Sequence, residues 1–280
     1  MEKLISYFFF DSHLKFQTLW FKRLLYLFVV IKCVYWLCYF DLLFGNNSIV
    51  YSPNQSIGVF KNLAYILSVY PSHNLSLAFI LLISTFSCIN FFKHLYFIPD
   101  LFIWFMVINI NNKIYPTLTG GDHLLAQFLF FNAFLTSASV TNSTWRTSIK
   151  TVLHNLAVLA VIIQICLVYF LSALAKLTDE GWLFGSALIS ISQINHFSLY
   201  SLKYEQLFNP FFVILNYLVL AYQLLFPFLI WFQKIKKPLL IFGVLMHLYI
   251  AFVMGILAFG IIMVLAYIYF WPMKKPVLYV

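Results

Sequence analysis

From Thr151 to Ala175 the chain carries no charged side chain, and Lys150 and Lys176 bracket the run. At ~1.5 Å per residue this is more than the ~20 residues that a helix needs to cross ~30 Å of hydrocarbon. Comparable runs occupy 22–43, 74–92, 95–111, 122–141 and 208–232. The third is the weakest, because Pro99, Asp100 and Asn109 leave it a short apolar centre. The final run, 238–271, is too long for one untilted crossing, and Gly255 or Gly260 can turn it into a hairpin. The expected fold is therefore an all-α, polytopic membrane bundle with eight transmembrane helices.

Composition agrees: 63% hydrophobic residues against 9% charged ones, with a mean hydropathy of +0.92, do not describe a water-soluble domain. One transmembrane domain is expected over 1–280, with 1–21 as an interfacial amphipathic segment and 177–207 as a connection apolar enough to lie at the membrane surface or re-enter the bundle. Cys33, Cys38, Cys88 and Cys166 lie in apolar runs and suit neither a disulfide framework nor a CxxC site. No HExxH, P-loop, GxGxxG or nucleophile elbow occurs, so neither a metal nor a nucleotide cofactor has a motif to bind it. A nucleic-acid partner is not expected either, because the formal +9 charge reads as a topology signal.

Lysine and arginine are retained on the cytoplasmic side of membrane proteins. With the N-terminus inside, Lys3, Lys15, Lys22, Arg23, Lys93, Arg146, Lys150, Lys234, Lys236, Lys237, Lys274 and Lys275 fall on the inner side. Only Lys61, Lys113, Lys176 and Lys203 fall outside, and Lys32 lies within the first span. Both termini are expected in the cytoplasm. This orientation places the turn Thr119-Gly120-Gly121-Asp122-His123 and the segment after Lys176 on the same outer face.

Lys176 is the first candidate for chemistry, because an ammonium beside hydrocarbon is costly without a partner. It reads either as a snorkelling lysine with its head in water or as a base held among helices. Asp122 follows two glycines and reads as a helix N-cap or a ligand contact, with His123 beside it. His247 falls near mid-membrane, ~13 Å beyond Pro238, where a neutral imidazole either bonds another helix or lines a site. Gln164, Asn109, Asn132 and Gln127 read as interhelical hydrogen-bonding residues. Asp179 and Glu180 suit a solvated turn.

The pattern Gln164, Tyr169-Phe170-Leu-Ser172-Ala-Leu-Ala-Lys176-Leu-Thr, Trp182, Gly185 and Ala187 resembles the HTTM (horizontally transferred transmembrane) family. That family includes the membrane domain of vitamin K-dependent γ-carboxylase and the bacterial sporulation-delaying protein B. Supporting elements are Thr119-Gly-Gly-Asp122, Glu205 before Pro210, and Gly243-Val-Leu-Met-His247 followed by Met254-Gly255 and Phe259. The resemblance spans nearly the whole chain and implies that Lys176 is a base that deprotonates a lipid-soluble hydroquinone, assisted by Asp122 or His123. A pocket would be lined by Gly120, Gly121, Trp182, Gly185, Gln164 and His247. Trp182 stands one residue further from the lysine than in the carboxylase, Ala175 replaces its second lysine, and its long extracytoplasmic domain has no counterpart. Protein γ-carboxylation by this chain alone is therefore not expected. The spacing is closer to the bacterial branch, which implies a multi-pass protein of a bacterial inner membrane. Its partners would be the lipid bilayer and a partner protein or exported peptide. The implied cofactor is a quinone or hydroquinone. A non-catalytic module for export, maturation or immunity of a secreted peptide is the alternative, and a transporter a further one.

Overall fold

A computed structural model describes residues 14–45, 48, 50, 66–69, 72–93, 97–136, 145–193 and 205–271. All regular structure among them is helical. In chain order the helices are α1 (Lys15–Cys38), α2 (Phe40–Phe44), α3 (Ile66–Val69), α4 (His73–Lys93), α5 (Ile98–Lys113) and α6 (Gly120–Phe134). They continue with α7 (Trp145–Lys176), α8 (Glu180–Leu183), α9 (Ala187–Gln193), α10 (Glu205–Leu229), α11 (Gln233–Phe252) and α12 (Leu257–Ala266). Among the described residues, four helical segments are long and apolar enough to cross a membrane: His73–Lys93, Ile149–Lys176, Pro210–Leu229 and Gln233–Phe252. The chain forms two compact units, residues 1–159 with 275–280, and residues 160–274. Helix α7 contributes to both.

Within the first unit, α1 packs on α4, α4 on α5, and α5 on α6 and α3. Their direction follows from one buried polar knot. Lys22 Nζ pairs with Asp100 Oδ2 at 2.9 Å and also donates to the carbonyls of Asn132 (3.1 Å) and Leu135 (3.2 Å). Tyr26 Oη donates to the other Asp100 oxygen, which also accepts from Asn90 Nδ2 at 2.8 Å, and Asn132 Nδ2 donates to Tyr26 Oη at 2.8 Å. Lys22 and Tyr26 stand in the first half of α1, Asn90 at the end of α4, Asp100 in the first turn of α5 and Asn132 near the end of α6. The four helices therefore alternate in direction.

The knot also explains why two helices stop short of their apolar runs. Helix α5 starts at Ile98, with Pro99 in its first turn, where a missing N–H costs nothing. Helix α6 ends at Phe134, which frees carbonyls for the Lys22 ammonium at the negative end of the helix dipole. The Thr136 N–H donates to His154 Nδ1 at 3.2 Å, tying the first third of α7 to the same unit. Lys22, counted among inner-side charges by sequence, is thus a buried, paired side chain. Residues 1–13 of the interfacial segment lie outside the described residues, and 15–21 begin α1.

In the second unit the run 238–271 is broken after Phe252. Gly255 turns the chain at φ +73°, a value that L side chains rarely adopt, and α12 folds back on α11. Gly260 permits the close approach, because a Cβ there would meet the carbonyl oxygen of His247 and the side chain of Ala251. Helix α10 packs against α11 and against the short helices α8 and α9 of the 177–207 connection.

Replacing Asp100 with Asn leaves the Lys22 ammonium buried without an anion, so the D100N variant should lose about 3–5 kcal/mol of stability. A double K22M/D100L variant should recover more than half of that loss. Equilibrium unfolding in mixed micelles measures both; equal stability of D100N and the natural protein would refute the knot's structural role.

Candidate functional site

Lys176 is the last residue of α7 and is half-buried. Its Nζ donates to Ser172 Oγ, one turn earlier, at 2.7 Å, and lies over the Trp182 ring at 4.9 Å from the centroid. A cation over an indole face is attracted by the ring quadrupole. Trp182 is itself held. Asp179 caps α8 by accepting from Trp182 N at 3.1 Å, and the Trp182 carbonyl accepts from Asn216 Nδ2 of α10 at 2.9 Å. Tyr217 Oη reaches the next carbonyl, Leu183, at 2.7 Å. Gly185 then turns with φ +76°, against Val213 and Tyr217, where a side chain would be strained and crowded.

Three lysines in the apolar helices differ in their partners. Lys22 pairs with Asp100, and Lys32 pairs with Asp122 while lying within 5.9 and 6.0 Å of the Tyr35 and Trp36 ring centroids. Among the described side chains, which do not include that of Glu205, no carboxylate pairs with Lys176. Its partners are a hydroxyl, which can accept from an ammonium or donate to an amine, and a ring face. That set suits a group that changes protonation state.

Ser172 Oγ also reaches Gln223 Oε1 of α10 at 3.5 Å. About 10 Å before Lys176 along α7 lies a second group of polar side chains, centred on Tyr169. Tyr169 Oη is 2.5 Å from His247 Nε2 and bonded to Tyr267 Oη, which is 2.9 Å from Tyr222 Oη. All four side chains are buried. They come from α7, α10, α11 and the single 3-10 turn after α12, and Phe226 packs against Tyr169, Tyr222 and Tyr267. Gly243 makes room, because a Cβ there would collide with the hydroxyls of Tyr267 and Tyr222.

Of the other sequence candidates, Gln164 falls in the second unit, and Asp122, Gly120, Gly121, His123 and Asn109 fall in the first. Thr119 N and Oγ1 both donate to Asp122 Oδ2, at 2.8 and 2.9 Å, and Lys32 takes the second oxygen. Gly120 and Gly121 form the first turn of α6 beneath this cap. His123 is exposed and edge-on to Tyr115, with centroids 6.4 Å apart. Gln164 is half-buried along α7, and Asn109 accepts from Ile66 N at 3.0 Å. Sequence reasoning brought Lys176 and Trp182 together and singled out His247. It missed Lys32 as the partner of Asp122 and the tyrosines around His247. The spacing of Tyr169, Ser172 and Lys176, three and seven residues apart on one helical face, was the available signal. Tyr222 and Tyr267 had none among 18 tyrosines.

No protein-family signature, no curated protein and no solved structure matches the chain.

The Gly243→Ala variant should separate the tyrosine hydroxyls and cost about 1–3 kcal/mol through overpacking. Thermal unfolding in detergent should show this, and tyrosine hydroxyl vibrations should report a broken cluster. Unchanged spectra and stability would mean that the cluster does not depend on the glycine.

Proposed function

We propose that the chain is a multi-pass membrane protein of the HTTM type, with eight crossings and both termini in the cytoplasm, and that Lys176 is a base acting on a lipid-soluble quinol. The observation that carries this reading is the setting of Lys176. It is held by Ser172 Oγ at 2.7 Å and the Trp182 face at 4.9 Å, with no carboxylate paired to it among the described side chains. The neutral amine would take the proton of a quinol hydroxyl, giving the quinolate and the Lys176 ammonium. Trp182 then faces the cation that forms, and Ser172 turns from donor to acceptor. A substrate dissolved in lipid would arrive between helices, which suits a lysine at the end of an apolar helix. Asp122 is engaged by Lys32 and Thr119, and His123 is exposed, so the reading places the proton transfer on Lys176 alone.

In oxygenated proteoliposomes loaded with vitamin K hydroquinone, the natural protein should accelerate loss of the hydroquinone above the lipid background. Both K176A and K176R should lower that acceleration by about 10²-fold or more, the range of general-base effects. An inserted K176A protein that consumes hydroquinone at the natural rate would overturn the reading.

The orientation has its own check. Alkaline phosphatase fused after Lys113 should be active and a fusion after Lys275 inactive, the reverse holding for a fluorescent reporter that folds only in the cytoplasm. Phosphatase activity at both fusion points would refute the arrangement.

A further inference from the structure

The hydrogen bonds around His247 leave one atom over. Its Nε2 is engaged by Tyr169 Oη, but Nδ1 is buried without a partner in a side chain that is 1% exposed. The tautomer follows from the chain of hydroxyls. If Nε2 accepts, Tyr222 donates to Tyr267, Tyr267 to Tyr169 and Tyr169 to Nε2, so every phenolic proton is used and only an Nδ1–H remains free. If Nε2 instead donates, the relay runs the other way, and both the Tyr222 proton and the Nδ1 lone pair are stranded. The first arrangement strands one buried group and the second strands two. At about 1–3 kcal/mol for each unsatisfied group, the first prevails.

A buried, unpartnered N–H donor calls for a neutral acceptor. The Phe259 ring stands edge-on to the imidazole at 5.6 Å, and no carboxylate pairs with His247 among the described residues. We propose that His247 Nδ1–H is a ligand-binding donor that receives a carbonyl oxygen of a lipid-soluble quinone, with the three tyrosines fixing the imidazole tautomer that presents it. Tyr169 is the positioning residue, since it alone of the three bonds the ring. This inference rests on the reading of a quinone-class substrate, and it assigns recognition of the oxidised carbonyl form to a different residue from the base.

The test is carbonyl-labelled menaquinone in nanodiscs containing the purified chain, read by binding titration and by the infrared carbonyl stretch. The natural protein should show a down-shifted carbonyl band. In H247F the shifted band should vanish and affinity fall about 5- to 100-fold, matching the loss of one buried hydrogen bond. H247N keeps an N–H close to the Nδ1 position and should retain most of the shift. Y169F keeps the ring packing but releases the tautomer, and should broaden and weaken the band. K176A should bind menaquinone with the natural spectrum while losing hydroquinone consumption, which separates the two ideas. A normal shift and affinity in H247F would overturn the carbonyl site and leave the Lys176 base standing. Loss of the shift in H247F together with undiminished hydroquinone consumption in K176A would do the opposite. Absence of any bound, shifted menaquinone in the natural protein would overturn the carbonyl site, as would H247N behaving like H247F while Y169F is unchanged.

Discussion

A charge taken out of water must find an opposite charge and enough hydrogen bonds to replace its hydration, and in the first unit that requirement is met at Lys22. The ammonium has three acceptors: one oxygen of Asp100 and the carbonyls of Asn132 and Leu135. The other Asp100 oxygen is satisfied by Tyr26 and Asn90. Removing either ion would strand the other in a low-dielectric interior, so the pair acts as a registration device. One residue of α1 fixes the end of α6 and the start of α5 at one level, and the hydrogen bond from Asn90 brings the end of α4 to it. About 15 Å further along α1, Lys32 does the same for the first turn of α6 by pairing with Asp122. Two lysines on one helix thereby define the two ends of α6.

The second unit handles its buried polarity differently. Its centre is a relay of three phenols and an imidazole, and Lys176 leans on a hydroxyl and an indole. Ion pairs hold their protons and their geometry together. Neutral hydrogen-bond chains hold geometry while leaving the direction of each O–H free to reverse. The contrast between the units is thus one of chemistry as well as of residues: Asp100 and Asp122 commit two lysines to structure, whereas Lys176 is left with partners that accept either protonation state.

Much of this was legible in the sequence, and the illegible part has a physical cause. The apolar run 74–92 became α4 nearly residue for residue, and the long run after Pro238 broke at one of the two glycines able to turn it, because local backbone freedom decides such a break. The ends of α5 and α6 were not legible, because they are set by where Lys22 finds acceptors 78, 110 and 113 residues away in the chain. Lys22 itself read as one more inner-side cation, since nothing local distinguishes a lysine in water from a buried one. The pairing of Asp122 with Lys32 was hidden for the same reason: its capping role is written in Thr119-Gly-Gly-Asp, but its counter-ion lies on another helix. The tyrosine cluster was the least visible, because phenols in a chain rich in aromatics carry no spacing signature across four elements.

A neutral relay is also what a lipid-soluble ligand demands. A quinone, the ligand proposed above, would bring no charge into the site, so a salt bridge would offer it little and would have to be broken to bind it. A fixed N–H in apolar surroundings gains a full hydrogen bond when a carbonyl arrives and discriminates sharply against an analogue lacking that oxygen, because the donor then stays unpaired. A site that relied on apolar contact alone would tell two such molecules apart by only ~1–3 kcal/mol per methylene. In the proposed site, fixing the tautomer through Tyr169 would add selectivity without adding charge. The imidazole can be stiff and neutral at once, since Tyr169 donates to Nε2 and the other two phenols orient that donation.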